Sequence, residues 1–161
     1  VMICDDENCS SPQFVTPVVA PNTPVHALQM RANGRLIMVE NGFDTVFFSR
    51  LRNCSNAECT VSTTQSLSRN FNYSLVMDAG DRPLTAYSGF SWGISVCDSP
   101  ACESQLSRPL GTAGSGGAFA QISLTSDGRP LVATIDYSGG PPRLALCPPV
   151  EVHADGFESV E

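Results

Sequence analysis

Six of the seven cysteines fall into three pairs of one spacing: Cys4–Cys9, Cys54–Cys59 and Cys97–Cys102, in CDDENC, CSNAEC and CDSPAC. The residues between each pair are small, acidic or turn-forming. They let the chain reverse tightly and bring two Cα atoms to the ~4.4–6.8 Å a disulfide needs. Three local disulfides are therefore expected, with an oxidising compartment that is secreted or periplasmic. Zinc is the rival chemistry, but its usual knuckle is C-x2-C, and no His lies near any pair. Cys147 is left over, and is expected to be buried and free or to pair with another chain.

Other residues able to do chemistry are sparse. There is one Trp (Trp92) and there are two His, His26 and His153, the second in a charged tail where solvation is its simplest fate. Gly89-Phe90-Ser91-Trp92-Gly93 matches the G-x-S-x-G of a hydrolase nucleophile elbow. That elbow needs a strand–turn–helix, and here no helix is expected after it, so the match reads as chance. The acidic run Asp5-Asp6-Glu7 lies inside a cysteine turn and reads as solvated rather than as a calcium loop. No H-E-x-x-H, P-loop or dinucleotide fingerprint is present.

Composition narrows the partners. The 161 residues carry a net charge of -7, with 9 basic residues, all Arg and in no dense run. Nucleic acid and anionic membrane are excluded as expected partners. No stretch approaches the ~20 apolar residues of a membrane helix. No basic and apolar leader opens the chain, so no signal peptide is expected within it.

The elements that must position these residues form a repeat. Residues 26–43 (HALQMRANGRLIMVENGF), 73–90 (YSLVMDAGDRPLTAYSGF) and 120–137 (AQISLTSDGRPLVATIDY) align without a gap. Their anchors Arg35, Arg82 and Arg129 stand 47 residues apart. Cys4, Cys54, Cys97 and Cys147 follow at steps of 50, 43 and 50, so loops vary in length while strand cores do not. Around residues 119–125 apolar and polar residues alternate with period two, the strand signal, and Ser126-Asp127-Gly128 supplies a turn. Strands are expected near 130–136, 143–147 and 60–65. The fold class expected is all-β, in units of four strands. A β-sandwich is the alternative, but it does not require one spacing to hold twice.

The pattern SDGRPLVATIDY, followed by the strand RLALC, resembles repeats of bacterial secreted β-propellers of the DG-x-P-x-x-x-Y-x-D kind, over about 120 residues. The resemblance implies a β-propeller with about three four-stranded blades per chain, and carries no activity with it. The expected layout is a single half-ring domain over 1–153, with repeats near 26–66, 73–107 and 119–153. An N-terminal half-blade covers 1–19, and 154–161 form a flexible tail. Val1-Met2-Ile3-Cys4 matches a third strand and residues 13–19 a fourth, while the last unit lacks a clear fourth strand. The expected partner is therefore a second copy, in a homodimer by strand exchange that completes six blades, with seven as the variant.

Propellers place sites at the channel mouth, where first strands begin and second-to-third-strand loops turn. The ligand-binding candidates there are His26, Asp44, Tyr73, Trp92, Asp136 and Tyr137, beside Phe43 and Phe90. Phe43, Phe90 and Tyr137 share one repeat column, which equally suits packing between blades. Arg35, Arg82 and Arg129 are candidates for an anion site or for holding their own turns. The leading functional expectation is a secreted binding module offering an aromatic and acidic rim to a glycan, peptide or small ligand. A metal-dependent propeller hydrolase (esterase, lactonase or phosphotriesterase-like) is the alternative. It would hold a divalent cation with Glu40, Asp44 and Asp136, aided by His26. No cofactor is otherwise expected, and the channel strands offer thin ligand chemistry. A further reading is an inactive fragment of a longer propeller.

Overall fold

The computed structural model describes residues 2–3, 10, 13–14, 23–43, 46–56, 59–67, 71–89, 91–112, 118–136 and 139–148. The chain is all-β, with no helix among these residues. A two-stranded pair, β1 (Met2–Ile3) and β2 (Gln13–Phe14), precedes three antiparallel sheets. The first sheet runs β3 (Val25–Met30), β4 (Leu36–Phe43), β5 (Phe47–Cys54) and β6 (Ser62–Ser66). The second runs β7 (Phe71–Met77), β8 (Pro83–Ser88), β9 (Ser91–Cys97) and β10 (Gln105–Thr112). The third holds β11 (Ala118–Leu124), β12 (Pro130–Asp136) and β13 (Arg143–Leu146). Within each sheet the strands lie side by side in chain order, joined as simple meanders.

The 47-residue spacing reappears as identical pairing. Val39 lies opposite Leu51, Ala86 opposite Ile94, and Ala133 opposite Leu144. The turn between the first two strands is the same in all three sheets. The amide of Arg31, Asp78 or Thr125 donates to the carbonyl of Arg35, Arg82 or Arg129, and a second amide three residues on bonds back. That amide belongs to a residue with positive φ: Gly34 (77°), Asp81 (59°) and Gly128 (79°). Glycine meets this demand without a Cβ clash. Asp81 meets it as a short polar side chain, whose carboxylate also accepts from Arg31 Nη1 at 3.1 Å.

Two cysteine loops are likewise copies. Cys54–Cys59 and Cys97–Cys102 are disulfide-bonded, each with Cα atoms 4.8 Å apart. In both, the second cysteine has positive φ, and its amide donates to a carbonyl three residues back. Cys4–Cys9 lies outside the described residues. Cys147, which occupies the same strand-end position in the third sheet, is free and buried.

Successive sheets pack face to face, chiefly along their first strands: β3 against β7, then β7 against β11. Alternation along each strand sends neighbouring residues to opposite joints. From the second sheet, Tyr73, Leu75, Tyr87 and Cys97 join Ile37, Val39 and Leu51 of the first. Leu84, Ala86, Trp92, Ile94 and Val96 turn the other way, onto Ala120, Ile122 and Val132 of the third. Polar groups close the edges of the first joint. Gln29 Nε2 donates to the Leu75 carbonyl at 3.2 Å, and Gln105 Nε2 to the Ser66 carbonyl at 2.9 Å. The Arg31 guanidinium also donates to the Pro100 carbonyl in the cysteine loop.

Each fully buried Leu or Ile in these joints contributes about 1.5–3 kcal/mol of transfer free energy. Leu84 is 0% exposed at the centre of the second joint. Leu84→Ala is expected to lower the unfolding free energy by about 2–5 kcal/mol. Leu106→Ala, at an exposed position of β10, should cost no more than about 0.5 kcal/mol. Urea denaturation of both variants reads the difference, and equal losses would contradict the joint as the stabilising element.

Candidate functional site

Register places the starts of β3, β7 and β11 at the same end of their sheets as the hairpin ends of β4–β5 and β8–β9 and the end of β12. The Arg-bearing turns and cysteine loops occupy the opposite end. Of the rim residues expected from sequence, His26, Tyr73 and Trp92 are described at this end, in sharply different environments.

His26 is exposed, at a bulge between Val25 and Ala27 of β3, where the extra residue re-aims the side chain. Tyr73 is 4% exposed and packs against Tyr87, with ring centroids 6.3 Å apart, inside the first joint. Trp92 is 5% exposed inside the second joint. Its indole lies across the backbone of Gly111 on β10, where a Cβ would come within 2.7 Å of Nε1. Tyr73 and Trp92 therefore serve the interior instead of forming an exposed aromatic rim. The reason is parity: both sit at strand positions that face a neighbouring sheet. Asp44, Phe90 and Tyr137 lie outside the described residues, and of Asp136 only the backbone is described, as the last residue of β12. Ser91 opens β9 directly, so G-x-S-x-G sits between two strands and not before a helix.

Glu40 is not open to a metal ion. It is 0% exposed, and both carboxylate oxygens are occupied by guanidinium groups. Arg50 Nε donates to Oε2 at 2.6 Å, Arg52 Nε donates to Oε1, and Arg52 Nη2 reaches Oε2 at 3.2 Å. Arg52 Nη1 donates onward to Ser62 Oγ at 2.6 Å, and the Arg50 guanidinium stacks on Phe48 at 4.8 Å from the ring centroid. A cation at Glu40 would meet two positive charges already in place. Among the described residues no three His, Cys, Asp or Glu gather as metal ligands.

The three repeated arginines do not converge. Arg82 binds Asp78 in its own turn, with Nε and Nη2 each 2.7 Å from Oδ2. Arg129 Nε donates to the Cys147 carbonyl of its own sheet at 3.2 Å. Arg35 is exposed on the first turn. Each belongs to a different sheet and braces or borders its own turn, so no shared anion site forms from them.

Two further features stand out, of which the sequence marked only Phe43, as a rim residue. At the β4–β5 hairpin, Phe43, Val46 and Phe47 are 63%, 57% and 54% exposed. The two Phe rings meet edge-on with centroids 5.0 Å apart. The Phe-rich run FDTVFF is the only sequence signal, and it equally suits a core strand. The other feature is a groove of about 190 Å³ at the outer edge of the first joint, lined by Leu51, Asn53, Thr63, Gln65, Cys102 and Glu103. That volume is below the ~300 Å³ at which pockets enclose a small ligand.

Two measurements follow from this chemistry. Glu40→Gln leaves two guanidinium groups facing a neutral amide, and is expected to cost about 3–5 kcal/mol by denaturant unfolding. A loss below about 1 kcal/mol would show that Arg50 and Arg52 find other partners. Burial pushes the Cys147 thiol above its ordinary range, against the opposing pull of Arg108 and Arg129. The unfolded thiol ionises first as pH rises, so the stability this thiol contributes is complete below its unfolded pKa. It is lost as pH climbs through the folded value. Native alkylation near about pH 8 should be slow and should accelerate on adding denaturant. Equal rates in the two conditions would mean that the thiol is open to solvent.

The two disulfides fit an oxidising, extracellular environment, and no helix among the described residues is long and apolar enough to cross a membrane. No protein-family model matches the chain and no curated protein is significantly similar to it, so a functional assignment rests on the geometry above.

Proposed function

We propose that this chain is a secreted interaction module, built as a propeller-like fan of blades, that receives an apolar side chain of a partner peptide or protein at the β4–β5 hairpin. The blade reading is supported by four-stranded meanders in chain order, one turn type repeated at 47-residue spacing, and sheets meeting along their first strands. The secreted reading is supported by the disulfide loops.

The observation that carries the binding role is the exposed trio Phe43, Val46 and Phe47. Soluble proteins rarely leave adjacent large apolar side chains in water without use, and desolvated aromatic anchors dominate recognition energies. The strands beneath are fully paired, from Ile37–Asn53 to Phe43–Phe47. By contrast, Glu40, considered as a metal ligand, and Arg82 and Arg129, considered for an anion site, are engaged in structural bonds. The edge-on Phe pair offers an anchor cleft more than a flat stacking platform, which favours a peptide side chain over a sugar ring.

A phage-displayed peptide library selected on the immobilised chain tests this. Enriched peptides should carry an aromatic or aliphatic anchor and lose at least about tenfold in affinity to Phe43→Ser and to Phe47→Ser, with folding checked by far-UV circular dichroism. No enrichment, or binders indifferent to both substitutions, would overturn it.

A further inference from the structure

The outer edges of the first two sheets are not alike. Short length, charge, proline and bulges are the devices that blunt a sheet edge against further pairing. β10, the outer strand of the second sheet, carries Pro109 and a bulge between Pro109 and Gly111. The Asp98 amide donates to the Ser104 carbonyl, so alternation turns the backbone groups of residues 105, 107 and 109 outward. Pro109 thus removes one outward amide. β6, the outer strand of the first sheet, is not blunted in this way. It reads STTQS, uncharged and without Gly or Pro, and pairs with β5 in unbroken register from Arg50–Ser66 to Cys54–Ser62.

Two backbone bonds fix which groups of β6 face out. The Ser55 amide donates to the Val61 carbonyl and the Leu67 amide to the Ser49 carbonyl, both at 2.8 Å, so odd-numbered residues turn to β5. Ser62, Thr64 and Ser66 therefore turn their backbone groups outward. Ser66 bears this out, since its carbonyl accepts from Gln105 Nε2 of the next sheet at 2.9 Å. Thr63 and Thr64 are exposed, and among the described residues no strand pairs on the outer side of β6. The groove of about 190 Å³ runs beside this edge. Leu51 and Cys102, each 1% exposed, form its floor, and the exposed carboxylate of Glu103 lines it. Thr63 and Gln65 point into it. Directly opposed residues of paired strands share a face, so a strand added to β6 would send alternate side chains into the same groove.

We propose that the outer edge of β6 binds a cationic peptide in extended form by strand addition. Ser62 and Thr64 pair with its backbone, and a Lys or Arg side chain lays its methylene stem on Leu51 and Cys102 with its charged head at Glu103. The occupant follows from the chemistry of the groove. An apolar floor beside a carboxylate selects a long stem that ends in a cation, and the volume suits one side chain instead of a whole small ligand. The net charge of -7 draws cations to the chain. Gln105, already bonded to Ser66, limits the pairing at that end of the strand. This surface is separate from the β4–β5 hairpin, and the inference does not rest on the peptide site at Phe43 and Phe47.

Isothermal titration of the full chain with a capped peptide of alternating lysine and threonine tests it. Saturable binding with a Kd below about 1 mM is expected. The same peptide with glutamate in place of lysine should bind at least about tenfold more weakly. Two N-methylated forms of the lysine peptide, each blocking every second backbone amide, should differ: one loses binding and the other keeps it. Glu103→Lys should weaken binding of the lysine peptide at least about tenfold. Thr64→Pro removes one outward amide and no bond to β5, so it should weaken binding while thermal unfolding stays near that of the wild type. If Thr64→Pro does not fold, the pair of N-methylated peptides still decides the question. No saturation by about 1 mM, equal effects of the two methylation patterns, or binding indifferent to Glu103→Lys overturns the proposal. A wild-type dimer that the peptide fails to dissociate would mean that two β6 edges pair with each other, and also overturns it. Phe43→Ser and Phe47→Ser should leave this titration unchanged, so the two proposals fail separately.

Discussion

Burial of one sheet's apolar column against the first strand of the next sheet is the interaction on which this molecule depends. A meander of four short strands has two faces and cannot bury either by itself. Stacking solves this in series, because each sheet between two others is covered on both sides. The second sheet illustrates it: every residue of β8 is buried, with Tyr87 turned to one joint and Leu84 to the other. Turns, disulfide loops and polar clamps refine that stack. Arg31 ties the first sheet to the Asp81 turn and the Pro100 loop of the second, which fixes the lateral position of one sheet on the next.

The same constraint decides what happens to polar chemistry. Glu40 faces away from the first joint on β4, in a position where the next repeats carry Tyr87 and Thr134. A carboxylate fully withdrawn from water is tolerable only if its oxygens are filled. Two arginines on the adjacent strand, two residues apart and so on the same face, fill them. The result is a structural triad and not a reactive group. Arg82 with Asp78 is another case, where a turn carboxylate takes a repeated guanidinium out of play. What stays exposed at the β4–β5 hairpin is apolar surface.

Much of the backbone was legible in the sequence. Period-two alternation in AQISL located β11, and SDGRP located its turn, because strands and turns are set by local stereochemistry. The strand expected over 130–136 coincides with β12. The cysteine spacing indicated Cys54–Cys59 and Cys97–Cys102 because a five-residue separation can be bridged locally. Site residues were less legible. Tyr73 reads as a rim aromatic because it starts a first strand, and Trp92 because it falls in a second-to-third-strand loop, both near a channel mouth. Their depth depends on which face of the sheet meets a neighbour.

The sequence by itself determined the all-β class, the 47-residue period, the turn type and the disulfide loops, since these follow from neighbours along the chain. Only the tertiary structure decided that Glu40 is filled by Arg50 and Arg52, that Trp92 lies on Gly111, and that Phe43 and Phe47 stand in solvent. Those outcomes depend on cross-strand register and on which side of each sheet is covered. A one-residue change of parity exchanges core for surface without altering any local propensity.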